Sequence, residues 1–322
     1  MRKALVVGIN QYLNCALDGC VNDANAIADC LARNGDGAVN FAVKKHLDIL
    51  NKGTLKGYIA ECFSGNADVA LFYFSGHGYI DAVGGYIVTP DYKQNDMGVS
   101  MQDILAIVNN SKCKNKVVIL DCCHAGFMGN ITSTGQHAAA IGDGVTIMTS
   151  SKSDESAMEV GSQGVFTSLL IEALNGGASD VTGNITLGGI YAYIDKALGP
   201  WSQRPVFKTN VTRFSPIRTI APQVDVSILR NLINYFPTSD AEFPLNPSYE
   251  STNSVDVEHE VIEPYADANN VGVFSDLQKL EGVGLIAPCG EAHMYFAAMK
   301  SKSCKLTAVG QHYWRLVREN II

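Results

Sequence analysis

Three short runs constrain this chain more than anything else in it. Lys3 to Asn10, Asp68 to Phe74 and Lys116 to Leu120 are continuous apolar stretches rich in β-branched residues. A strand with one face in water alternates apolar and polar residues, whereas a strand covered on both faces does not. The runs are therefore read as strands of a parallel sheet with helices on either side. Helical spacing between them agrees: Ala24, Ile27, Ala28 and Leu31 precede Gly35, and Leu55 to Phe63 and Met101 to Val108 follow. Strand alternating with helix implies βαβ units. A strand at Gly144 to Thr149, helices at Phe166 to Leu174 and Leu187 to Leu198, and a strand at Arg204 to Thr209 complete an α/β sheet of about six strands.

At 322 residues the chain exceeds a typical single core, so a second, smaller domain is expected. The pattern changes near Ala221, which divides the chain into residues 1–222 and 223–322. Residues 237–264 hold four prolines and seven acids with little periodicity, the signature of an acidic linker or surface excursion. The net charge of −8 argues against nonspecific binding to DNA or anionic membrane. Nine cysteines, an odd number without CxxC spacing, argue against a disulfide framework or structural zinc and fit a reducing compartment. The N-terminus reads as a strand and no run reaches the ~18 apolar residues of a membrane span, so a cytoplasmic protein is expected.

Two strand ends carry unusual residues: Tyr73 to Gly78 (YFSGHG) and Ile119 to Gly126 (ILDCCHAG). In an open parallel sheet, reactive groups gather at the carboxyl ends of strands. His77 and Cys123 can face each other there as a base and a nucleophile for acyl transfer. Glycines around His77 permit close backbone approach, so the amides of Gly78 and Cys123 are candidates for an oxyanion hole. A lone Cys is more often a packing residue and a lone His more often a loop residue. Both at consecutive strand ends, in glycine-rich turns, favour catalysis.

SGHG after one strand and D-x-C-H-x-G after the next resemble the caspase-like peptidases, most closely the metacaspase and bacterial caspase-homologue branch. Ala4 to Asn10 with Leu17 to Ala24 resembles that branch's opening strand and L-x-G-C-x-N-D-A segment, and Gly164 to Thr167 its G-x-F-T helix start. The similarity spans about residues 1–213. It implies a cysteine endopeptidase with a His77–Cys123 dyad, Cys123 being the Cys immediately before His, while Cys122 is expected to be buried and His124 structural.

The resemblance also implies the substrate class. Metacaspases cleave after Arg or Lys, through a pocket that here would combine Asp121, Asp23, Cys20 and Ser75. Carboxylates suit a guanidinium or ammonium. The same residues have ordinary uses: Asp23 as a first-turn helix acid, Ser75 and Cys20 in turns or packing. Two departures from the branch matter. Tyr79 to Asp91 holds only Asp81 and Asp91, too few for the six to eight oxygens of a calcium site, so neither metal nor cofactor is expected. Val117 to Ser151 contains no Lys or Arg, so an enzyme restricted to basic residues should stay a single chain. The alternative reading is a catalytically silent caspase-like scaffold or signalling module.

In the second region Val226, Leu229, Ile233 and Phe236, then Phe274, Leu277 and Leu280 before Gly282, have helical spacing. Leu285-Ile286, a polar stretch, Cys304 to Leu306 and a helix bearing Val309, Tyr313, Leu316 and Val317 follow. This order resembles a winged helix. Residues 223–322 carry seven Lys/Arg against thirteen Asp/Glu, and only Lys300, Lys302 and Lys305 cluster. Docking of a regulatory protein partner is therefore favoured over DNA binding.

Overall fold

The computed structural model describes residues 1–123, 125, 128, 130–131, 138–139, 141–150, 159–160, 163–199, 204–252, 257–264 and 266–322. The chain divides into two compact units, Met1–Ala221 and Pro222–Ile322.

The first unit is built on six strands: β1 (Arg2–Gly8), β2 (Ala42–Leu47), β3 (Val69–Ser75), β7 (Asn115–Asp121), β8 (Val145–Thr149) and β9 (Val206–Asn210). Their order across the sheet is β9-β8-β7-β3-β1-β2. All pairs are parallel except β8 with β9. The apolar runs behave as strands covered twice. Leu5, Val7, Phe72, Phe74, Val118 and Leu120 pack on one face with helices α2 (Lys52–Cys62) and α3 (Met101–Asn109). Ala4, Val6, Leu71, Tyr73, Val117 and Ile119 pack on the other with α1 (Cys20–Ala32), α4 (Val165–Glu172) and α5 (Leu187–Leu198). Burying Phe72, Tyr73 and Phe74 completely contributes on the order of 2 kcal/mol per ring, which fixes β3 in the centre of the sheet.

Two features of this unit are not visible in the apolar pattern. β2 is an edge strand, so its outward residues, among them Lys44 and Lys45, are exposed and mask the strand signal. The segment after His77, to which no element is given in the sequence reading, is a three-stranded antiparallel sheet of β4 (Gly78–Ile80), β5 (Gly85–Lys93) and β6 (Asp96–Ser100). Gly78, Gly85, Asp91, Asp96 and Gly98 lie within its strands and interrupt their apolar pattern.

The second unit contains α6 (Val226–Arg230), α7 (Leu232–Tyr235), α8 (Ala268–Gly282), α9 (Met294–Met299) and α10 (Ala308–Arg318). A three-stranded antiparallel sheet joins β10 (Glu242–Pro244), β11 (Ile286–Pro288) and β12 (Ser303–Leu306) in the order β10-β12-β11. The spacing from Val226 to Phe236 resolves into two short helices that meet at Asn231. Part of the acidic excursion is strand β10, and Tyr249 beyond it stacks edge-on against Phe274 at 6.4 Å. The stretch between β11 and β12, expected to be polar, contains α9, which buries Met294, Ala297, Ala298 and Met299. The Trp314 indole N–H donates to the Phe236 carbonyl at 2.7 Å, closing this core. No helix among the described residues is long and apolar enough to cross a membrane.

Candidate active site

β3 and β7 lie side by side with Ser75 opposite Asp121. His77 and Cys123 each follow that pair by two residues, so equal strand lengths bring both turns to one edge of the sheet. The turns touch: the Gly76 N–H donates to the Asp121 carbonyl at 3.3 Å, and a Cβ at Gly78 would fall 1.9 Å from the Cys123 carbonyl oxygen. Only glycine permits that approach. His77 and Cys123 are half-buried, whereas Cys122 is buried in the core. Burial pushes the Cys122 thiol well above its ordinary range, so it keeps its proton at neutral pH.

His77 is held from the segment that follows β1. Its main-chain N–H donates to the Tyr12 hydroxyl at 3.1 Å, and that hydroxyl donates onward to the Val88 carbonyl at 3.3 Å. The Tyr12 ring meets the imidazole edge-on with centroids 4.6 Å apart. Nε2 of His77 lies 2.7 Å from the Cys15 carbonyl. A carbonyl only accepts, so Nε2 carries a proton, and it is Nδ1 that has the lone pair when the ring is neutral. In the β4–β5 ladder Val88 N–H donates to His77 O, which makes Gly78 and Ile87 a non-hydrogen-bonded pair. The Gly78 amide therefore points away from β5. Sequence reasoning missed Tyr12 and Cys15. The available signal was that Gly8 and Ser75 end paired strands, so residues just after β1 must pass over the His77 turn.

Beneath this edge the structure brings together the four residues expected to contact a substrate side chain. Asp23 and Asp121 are buried, and a Cβ at Gly164 would lie 2.7 Å from one Asp121 oxygen and 3.4 Å from an Asp23 oxygen. Both carboxylates thus converge on one point. The Ser75 hydroxyl donates to Asp23 at 3.0 Å. Cys20, first residue of α1, is buried within electrostatic range of Tyr73. Thr167 and Tyr73 extend the group: the Thr167 hydroxyl donates to Asp121 at 2.6 Å and lies 2.6 Å from the Tyr73 hydroxyl. Burial first, then the charges of Asp121 and Asp23, raise the Tyr73 phenol well above its ordinary value. Gly164, Thr167 and Tyr73 belong to runs noted in the sequence, but nothing there ties them to a carboxylate.

The acids after His77 have local partners. Asp81 accepts the Val83 and Gly84 amides, each at 2.8 Å, and Asp91 accepts the Lys52 amide and the Thr89 hydroxyl. Among the described residues no three His, Cys, Asp or Glu side chains gather as a metal cage. His124 and Gly126, and much of the interval from Val117 to Ser151, lie outside the described residues.

The first unit is thus an open, mostly parallel α/β sheet with an imidazole and a thiol in the turns that follow two adjacent strands. Residues 1–214 match the family model of the caspase domain, and the chain belongs to that family of cysteine peptidases, whose substrates are proteins. Protein GSU0716 from Geobacter sulfurreducens has a similar solved structure, at TM-score 0.51 and 15% identity over 68% of this chain and 98% of the other. Caspase-1 from Spodoptera frugiperda aligns at TM-score 0.49 and 14% identity over 68% of this chain and 90% of its own. At such identities the likeness to the first speaks to fold alone. No curated protein matches the chain.

Proposed function

We propose that Met1–Ala221 is an endopeptidase that cuts protein chains after Arg or Lys, with Cys123 as nucleophile and His77 as acid and base. The observation that carries this reading is the register of Ser75 with Asp121, which sets the imidazole, the half-buried thiol and two buried carboxylates around one strand edge. His77 Nδ1 takes the Cys123 proton, and the sulfur attacks the scissile carbonyl carbon. The C=O electron pair moves to oxygen, facing the amides of Gly78 and Cys123. As the pair returns, the C–N bond breaks and His77 gives its proton to the leaving amine. Water then attacks the thioester, His77 takes its proton and returns it to the departing thiolate.

Asp23 and Asp121 supply the selectivity: a cationic side chain between two buried carboxylates gains charge-assisted bonds that a neutral one cannot. Asp81 and Asp91 are committed to turns and caps, which supports activity without calcium, and the lack of Lys or Arg from Val117 to Ser151 supports action as a single chain. The second unit, winged-helix-like in its helices and small sheet, is assigned to recruiting a regulatory protein, since its acids outnumber its bases. The test is a peptide library assayed in excess chelator. A strong preference for Arg and Lys is expected, with little cleavage after Asp and with Asp121→Asn lowering kcat/KM for basic peptides about 10- to 100-fold. Efficient cleavage after Asp, or silence until calcium is added, would refute the respective part.

A further inference from the structure

The hydroxyl chain behind Asp121 has a fixed direction. Thr167 has one hydroxyl proton and donates it to Asp121. Its oxygen therefore accepts at the Tyr73 contact, and the Tyr73 phenol, which stays protonated, is the donor. Tyr73 and Thr167 are both fully buried, so neither bond is exchanged for water. Thr167 is also the third residue of α4, and the N-terminal turn of a helix favours negative charge.

Gly164 caps the same helix with φ −66° and ψ 136°, a conformation open to any residue. Its lack of a side chain is thus a matter of space, and the space borders the oxygen that Thr167 binds, with Asp23 beside it.

Resting on the basic-residue selectivity proposed above, we infer that Thr167 is a specificity-positioning residue. Supported by Tyr73, its hydroxyl fixes the Asp121 carboxylate as a charge acceptor toward an arginine or lysine side chain, while Gly164 packs too closely against that carboxylate to admit even a methyl group. Thr167 acts through Asp121 rather than on the scissile bond, so its removal should weaken recognition of the cation and spare the chemistry.

The experiment compares peptides ending in Arg or in citrulline, its uncharged near-isostere, on the full chain. In Thr167→Val the Arg-over-citrulline ratio of kcat/KM should fall about tenfold, through KM for the Arg peptide. Thr167→Ser, which keeps the hydroxyl, should retain the wild-type ratio. Gly164→Ala should lose turnover of both peptides while iodoacetamide still alkylates Cys123 at the wild-type rate. An unchanged ratio in Thr167→Val, or Thr167→Ser falling equally far, overturns the role of the hydroxyl even if the wild type prefers Arg. A wild type indifferent between Arg and citrulline overturns the selectivity on which that role stands.

Discussion

His77 and Asp121 lie at the ends of neighbouring strands and are supported in opposite ways. His77 receives its partners from the segment after β1: the Tyr12 hydroxyl takes its main-chain amide and the Cys15 carbonyl takes Nε2. Asp121 is held from below by a side-chain hydroxyl of α4, backed by a phenol from β3. A group that exchanges protons in each turnover needs orientation and a path to solvent, and His77 is half-buried. A group that serves as a fixed charge needs its direction held where water cannot compete, and Asp121 is 6% exposed. On the function proposed here, one strand edge would carry a mobile role beside a rigid one.

The largest break in this comparison comes from removing the proposed dyad itself. Cys123→Ala or His77→Ala should lower kcat by at least about a thousandfold in a fluorogenic peptide assay, while circular dichroism and melting temperature stay near wild type. Asp121→Asn, by contrast, should leave slow turnover of neutral peptides intact. If His77→Ala retains more than about a tenth of wild-type turnover, the imidazole is not the acid and base.

A smaller effect is expected from Tyr12→Phe, which keeps the ring edge against the imidazole but strands the His77 amide and the Val88 carbonyl. Losing such a buried bridge should cost roughly tenfold in kcat with little change in KM. A rise in KM with kcat unchanged would transfer Tyr12 from the proton-transfer side of the site to the binding side.

Much of this contrast was legible in the sequence, and the reasons for the remainder are physical. The apolar runs at Lys3, Asp68 and Lys116 gave β1, β3 and β7 because strands buried on both faces cannot hide their composition. His77 and Cys123 stood out because they follow consecutive strands in glycine-rich turns, whereas Asp23 and Asp121 were picked out through the resemblance to the caspase-like peptidases. β2 escaped notice because an edge strand is half surface, and β4 to β6 because glycines and acids within them interrupt the apolar pattern. Tyr12 and Thr167 escaped for a different reason. Each acts on a residue 65 or 46 positions away, a distance over which no local pattern extends and which only the sheet register closes.

The smallest expected effect sharpens the comparison most, because Cys15 is an exposed cysteine beside the site and its thiol would ordinarily draw attention. The atom that meets His77 is its carbonyl oxygen, which every residue has. The thiol lies 3.9 Å from the Tyr92 hydroxyl, a weak sulfur contact, while that hydroxyl donates to the Leu13 carbonyl at 2.9 Å. Replacing the sulfur should therefore leave Tyr92 anchored and the segment in place. Cys15→Ser is expected to keep kcat and KM within about twofold of wild type, and to lose one fast-alkylating thiol in intact-mass measurements. A tenfold or greater loss of kcat would mean that the side chain, not the main chain, orients the imidazole, and the contrast between His77 and Asp121 would collapse into two versions of side-chain support.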